Sequence, residues 1–272
     1  MKIARVFPRR TKATPTDDLA YIGRPNLLVA DDIEEVHISV TFTWDLPEAE
    51  KLVKAWKHIA PVKIGGPATG QAGGDFTPGM YLREGSVITS RGCKNRCPHC
   101  FVWRRENGLR ELPITEGYNL RDDNILSCSE GHIKKVFQML SKQEQGIIFS
   151  GGFEAKLLKP WHIEELLKIR VARIYCAYDT PDDKEPLFEA GKLFKQVGYK
   201  LKSPLYAYAL CGYKGDTFEK AEKRFRECME AGFLPYAMLY RDSIGKYDKQ
   251  WKKFSYQWSN PATLNRVCKE YQ

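Results

Sequence analysis

No stretch of the 272 residues approaches about 18 consecutive apolar positions, which excludes a membrane-spanning helix. Residues 1–10 are basic but carry no apolar run, so a secretory leader is not expected and a cytoplasmic location is. No glycine-rich stretch leads into Gly-Lys-[Ser/Thr], so a phosphate loop of the nucleotide-hydrolase type is absent. Histidine is scarce, with five, and none stands in an Asp-x-His-x-x-Gly setting. Global disorder is excluded too, because 43% of the residues are hydrophobic and six are tryptophan.

The net charge is +9, and it sits at the ends. Residues 1–14 hold five basic groups (Lys2, Arg5, Arg9, Arg10, Lys12) and no acid, while 241–272 hold seven against Asp242, Asp248 and Glu270. Basic ends suit the phosphates of a nucleic acid or nucleotide, and solvated tails are the plainer alternative.

Eight cysteines are present, at 93, 97, 100, 128, 176, 211, 228 and 268. The last five are scattered, several within apolar runs, and read as small buried hydrophobes. The first three form Cys93-x3-Cys97-x2-Cys100 with no second Cys-x2-Cys pair in the chain. A structural zinc ion wants four closed ligands, and His99, adjacent to Cys100, would struggle to be the fourth. Three thiolates with one position open suit an iron–sulfur cluster that binds something at its fourth iron.

This array, following an expected strand over 86–90, resembles the signature of radical S-adenosylmethionine enzymes. The resemblance covers residues 85–242. It implies that Cys93, Cys97 and Cys100 hold three irons of a 4Fe-4S cluster, with S-adenosylmethionine chelating the fourth. His99 stands where that family usually has an aromatic residue, and Phe101 follows the last cysteine. The resemblance implies reductive cleavage of S-adenosylmethionine to a 5′-deoxyadenosyl radical. It also implies an external one-electron donor such as flavodoxin or ferredoxin, and a core that is a partial (β/α)6 TIM-like barrel.

Downstream, helical and strand patterns alternate. Helices are expected over 131–143, 161–169, 184–197 and 216–231, and strands over 147–150, 171–178, 204–211 and 234–240. With residues 86–90 this gives five strands of an α/β parallel sheet, and a sixth is not placed. In parallel barrels chemistry gathers at the C-terminal strand ends. Those ends carry Ser150-Gly151-Gly152-Phe153-Glu154, Asp179 and Tyr240. The first resembles the family's Gly-Gly-Glu site for the S-adenosylmethionine amino group, with Phe153 intervening. Asp179 suits ribose hydroxyls or a helix cap, and Tyr240 an adenine flank or plain packing.

Residues 1–84 are expected to form a truncated Rossmann-like βαβ unit: a strand over 36–43, Asp45 capping a helix over 49–59, and a strand from 62. It is similar to a shortened form of the cobalamin-binding domain that precedes one radical S-adenosylmethionine subfamily. Without the histidine motif, cobalamin is not expected. The glycines between 65 and 79 suggest a linker or a lid. Residues 243–272 form a basic aromatic tail with Trp251, Phe254 and Trp258 on one helical face, for docking or for stacking on bases.

Expected function is therefore hydrogen abstraction from a substrate, with a nucleic acid or nucleotide favoured by charge. The alternatives are a zinc- or cluster-stabilised nucleic-acid-binding module without radical chemistry, and a cobalamin-dependent methylase.

Overall fold

The computed structural model describes residues 1–26, 29–197, 205–259 and 264. Parallel sheets of four and six strands make it an α/β protein. The chain divides into two compact units, Met1–Gly117 with Ser243–Gly245, and Tyr118–Asp242 with Lys246–Gln272. The boundary expected at 84/85 therefore falls inside the first unit.

In the first unit, strands β1 (Ile3–Phe7), β2 (Ala20–Ile22), β3 (Glu35–Ser39) and β4 (Val62–Gly65) run in the order β2-β1-β3-β4, all parallel. Helix α1 (Leu46–Trp56) joins β3 to β4 as the apolar spacing predicts, burying Ala49, Leu52 and Trp56 against Val36 and Ile38. Pro47 sits in its first turn. Asp45 does not cap the helix. Its buried carboxylate is paired with Arg9 instead.

This sheet has twice the strands expected. The reason is Arg5, which makes β1 look like part of a solvated tail. It is 7% exposed, neutralised by Asp17, and donates to the Gly79 and Met80 carbonyls. Lys2 likewise pairs with Asp32, so three of the five N-terminal cations are engaged within the fold.

The remainder of the first unit holds β5 (Ser86–Val87), β6 (Ser90–Arg91), the short helix α2 (Val102–Arg105) and β7 (Arg110–Glu111). The strand expected over 86–90 is thus two short pieces. The glycine-rich stretch is not a free lid. Arg91 donates to the Gly74 carbonyl at 2.9 Å, Arg110 donates to that of Gly73, and the Gly73 amide donates to Glu106 at 3.2 Å.

The second unit contains β8 (Asn119–Leu120), α3 (Glu130–Ser141), β9 (Ile147–Phe149), α4 (Pro160–Leu167), β10 (Val171–Ala177), α5 (Lys184–Gln196), β11 (Tyr206–Cys211), α6 (Phe218–Glu230), β12 (Leu234–Leu239) and α7 (Lys249–Trp258). Its strands lie side by side in chain order, β8 to β12, and each pair is parallel. Every crossover between them contains a helix, as parallel pairing requires. β8 was not foreseen, since two residues carry no readable period.

The apolar faces of the helices are buried as their 3.6-residue period predicts: Ile133, Val136, Phe137 and Leu140 on α3, and Ala221, Phe225 and Cys228 on α6. In β11, Ala207, Ala209 and Cys211 are fully buried while Tyr206, Tyr208 and Leu210 are half-buried, the two-residue alternation of a sheet with one covered face. Helix α7 is capped by Asp248, which accepts from Gln250 and Trp251. Its Trp251, Phe254 and Trp258 pack on Phe218 and Phe225 of α6, with ring centroids 4.4–5.8 Å apart. The aromatic tail is therefore a docking helix, and that face is not presented for stacking on bases. Cys128, Cys176, Cys211 and Cys228 are buried; Cys268, Gly198, expected to end the helix over 184–197, and Asn260-Pro261, expected to stop the tail helix, lie outside the described residues.

Candidate functional site

The three clustered cysteines lie on an excursion that leaves β6 and returns at β7. Those strands pair antiparallel, Ser90 with Glu111 and Arg91 with Arg110, and so clamp the base of the loop. Gly92 starts the excursion with φ +86°. A Cβ there would stand 1.9 Å from the Gly108 carbonyl oxygen, so glycine is required both by the left-handed backbone and by the returning chain.

Within the loop Cys93, Cys97 and Cys100 are half-buried. The Asn95 amide donates to Cys93 Sγ at 3.4 Å and the Val102 amide to Cys100 Sγ at 3.5 Å. Backbone donors aimed at sulfur favour a thiolate's negative charge and tune a bound cluster. The turn is held by Cys100 N donating to the Cys97 carbonyl, 3.0 Å, and by the Trp103 indole donating to the same oxygen, 2.9 Å.

Lys94, Arg96 and Arg104 are exposed around the loop, and Glu106 is buried against Arg105. The resulting positive collar suits a ligand set of net negative charge. Phe101 is 48% exposed, with the Arg104 guanidinium 5.4 Å from its ring centre; His99 is half-buried.

Among the described residues no three His, Cys, Asp or Glu side chains converge on a point that would hold a single metal ion. A mononuclear site brings sulfurs to about 3.8 Å from one another, given metal–sulfur bonds of ~2.3 Å in a tetrahedron. A cluster binds each thiolate at a different iron and needs no such convergence. The donor set, three thiols with amide donors on two of them, fits a cluster on its chemistry.

The second group of expected residues lies in the second unit, at the C-terminal end of β9. Gly151 and Gly152 pack against the segment that follows β8. A Cβ on Gly151 would meet the Asp122 carbonyl oxygen at 2.1 Å, and one on Gly152 that of Asp123 at 1.9 Å. Their amides already donate to Leu120 and Asp122 carbonyls, at 3.1 and 2.8 Å. The close approach that requires glycine here is thus made by the chain's own backbone.

Phe153 is 2% exposed and packs edge-on to Phe149 at 5.4 Å, so its side chain belongs to the core. Glu154 is half-buried and accepts from the Asn124 amide at 2.6 Å. The Ser150 hydroxyl donates to Asn119 Oδ1, and the Ser150 carbonyl accepts from Tyr208 at 3.4 Å.

Asp179 does not cap a helix. The turn at 181–183 is capped by Thr180, and one Asp179 oxygen accepts from the Leu210 amide at 3.1 Å, tying β10 to β11. Tyr240 packs edge-on against Tyr213 at 4.9 Å.

Sequence reading missed the segment Arg121-Asp122-Asp123-Asn124, which follows β8 and meets the two glycines. Asp122 and Asn124 are 1% and 3% exposed. Their one signal was a polar cluster ahead of the helix-capping Ser129. No family model matches the chain, and no curated protein matches it either.

Proposed function

We propose that the protein is a radical S-adenosylmethionine enzyme whose second unit contributes to a partial (β/α) barrel. The observation that carries this reading is the Cys93-x3-Cys97-x2-Cys100 loop, pinned at its base by β6 and β7 and furnished with amide donors to two of its sulfurs. The sequential parallel order of β8 to β12, with a helix in every crossover, supports the barrel.

Held by Cys93, Cys97 and Cys100, a 4Fe-4S cluster would supply the electron for reductive cleavage of S-adenosylmethionine to methionine and a 5′-deoxyadenosyl radical, which would take a substrate hydrogen. The chain's own part is to hold, orient and shield. Cys93, Cys97 and Cys100 are the three ligands, with Asn95 and Val102 amides steadying the outer sulfurs. His99 and Phe101 border the ligand loop.

In the second unit Ser150 to Glu154 and Asp179 stand at strand ends, where carboxylates and carbonyls can receive an amino group and ribose hydroxyls. Glu154 is oriented by Asn124, and Asp179 accepts from the Leu210 amide. Phe153 contributes through its backbone only. The electron comes from outside, from a donor of flavodoxin or ferredoxin type, and the loop's positive collar complements an acidic one.

The test is anaerobic reconstitution with iron and sulfide, then S-adenosylmethionine and dithionite, measuring iron, acid-labile sulfide and 5′-deoxyadenosine. About four irons per chain and cluster-dependent 5′-deoxyadenosine are expected. One tightly held zinc per chain, with no iron uptake, would instead favour the metal-stabilised binding module.

A further inference from the structure

The sheet of the second unit has one face unlike the other. Paired residues of parallel strands point the same way, so the register puts Tyr175 with Tyr206, and Tyr208 with Tyr236, on the face opposite the buried Ala207 and Ala209. The four rings touch: Tyr175 stacks on Tyr206 at 5.0 Å and on Tyr208 at 4.6 Å, and Tyr236 meets Tyr175 and Tyr208 edge-on at 5.9 and 5.5 Å. Despite this packing Tyr236 stays 45% exposed, and Met238 beside it 41%.

Within the strands the charge has one sign, and Asp179 lies just beyond the end of β10. Strands β8 to β12 contain no acidic residue, and Arg173 is their one charged side chain. It is exposed and stands two residues before Tyr175 on the same face of β10. Arg121, just beyond β8, is near enough to Tyr208 for each to influence the other's protonation. Burial raises the Tyr175 and Tyr208 pKa values, so both remain neutral hydroxyl donors.

A tyrosine cluster with one exposed ring, Tyr236, and arginines on the same face matches a planar ring that carries an anion. Two arginines match one phosphate; a polymer would need a row of cations along its backbone. We infer that this tyrosine face binds a free nucleoside monophosphate, with its base against Tyr236 and its phosphate drawn to Arg173 and Arg121. As the substrate class of the proposed enzyme it rests on that reading, whereas binding itself is measured apart from it.

The test is equilibrium dialysis of the full, cluster-loaded chain under anaerobic conditions, with saturating S-adenosylmethionine to fill any adenosine subsite. The probes are uridine 5′-monophosphate, uridine, inorganic phosphate and a ten-residue oligouridylate. The monophosphate should bind at least tenfold more tightly than uridine or phosphate, and the oligomer no more tightly than the monomer. Tyr236→Ala should weaken binding about tenfold, with Tyr236→Phe close to wild type, because base stacking needs the ring and not the hydroxyl. Arg173→Gln should erase the preference for the monophosphate over uridine. Both side chains are exposed, and unchanged thermal melts would establish that the variants fold. Absence of monophosphate binding, indifference to both substitutions, or preference for the oligomer overturns the inference. Nucleotide binding by a chain that takes up no iron defeats the radical reading alone; an intact cluster without nucleotide binding defeats this inference alone.

Discussion

Gly92 and Gly108 form a natural pair of controls for the cysteine loop. Both have left-handed backbones, φ +86° and +88°, but a Cβ on Gly108 meets nothing within 4 Å. Gly108→Ala therefore carries only the conformational cost, about 1–2 kcal/mol. Gly92→Ala carries that cost and a clash with backbone, which cannot rotate away as a side chain would. Moving the Gly108 oxygen from 1.9 Å to an ordinary contact near 3.4 Å means breaking the register of Ser90 with Glu111 and Arg91 with Arg110. Overpacking of this kind adds about 1–3 kcal/mol, for a total of about 2–5. Urea denaturation of both variants, with iron uptake measured alongside, reads the difference. Gly92→Ala should be at least 1 kcal/mol less stable than Gly108→Ala, on the order of the clash alone, and should bind less iron. Equal stability and equal iron in the two variants would refute the reasoning.

Cys93→Ala, Cys97→Ala and Cys100→Ala should each abolish iron retention and 5′-deoxyadenosine formation. The same change at Cys128, Cys176, Cys211 or Cys228 should leave iron content intact and cost about 1–3 kcal/mol of stability in a denaturation curve. Burial pushes the Cys176 and Cys211 thiols up to about 12, so iodoacetamide at pH 8.5 should label the metal-free folded chain at the loop cysteines and spare those two, as peptide mapping would reveal. His162, 2% exposed with its Nδ1 accepting from the Lys159 amide, is held down to about 4, chiefly by burial and then by Lys159. Its folded-state pKa lies below the unfolded value near 6.5, so its contribution is complete above that pH and drains away as pH falls toward 4. His162→Gln should flatten stability over that window, measured by urea midpoints at pH 7 and 4.5. Gly152→Ala should destabilise by about 2 kcal/mol or more, since its Cβ would meet Asp123 backbone, and an unchanged melting temperature would count against that packing.

Much of this protein was legible because local chemistry is periodic. The apolar spacing in 131–143 and 216–231 marked the helices found at Glu130–Ser141 and Phe218–Glu230, and strand–helix alternation over 147–240 marked a parallel sheet. The spacing of Cys93, Cys97 and Cys100 lies within one loop and needs no fold to be seen. What escaped were features created by partners distant in sequence. Strand β1 was hidden because Arg5 looks like a surface residue until Asp17 neutralises it, and β8 because two residues are too few to show a period. Gly151 and Gly152 were legible as glycines, but their reason was not. A backbone from 29 residues earlier passes too close for any Cβ, and only folding brings it there.

The same division holds for Asp45 and Asp179, both read from sequence as plausible caps. Capping is decided within one turn, whereas these carboxylates were claimed by Arg9 and by the Leu210 amide, 36 and 31 residues away. The tyrosine face belongs to the tertiary level for the same reason. β10 and β12 each carry one of these tyrosines and β11 two, and the cluster exists because the register of the three neighbouring strands sets their rings side by side. Sequence alone thus determined the helices with their inward faces, the alternation of strands and helices, and the spacing of the cysteine triplet, all set within a few residues of chain. Tertiary structure decided which charges are neutralised, which glycines are obligatory and which aromatics meet, because those depend on close approach between segments that the chain order does not reveal.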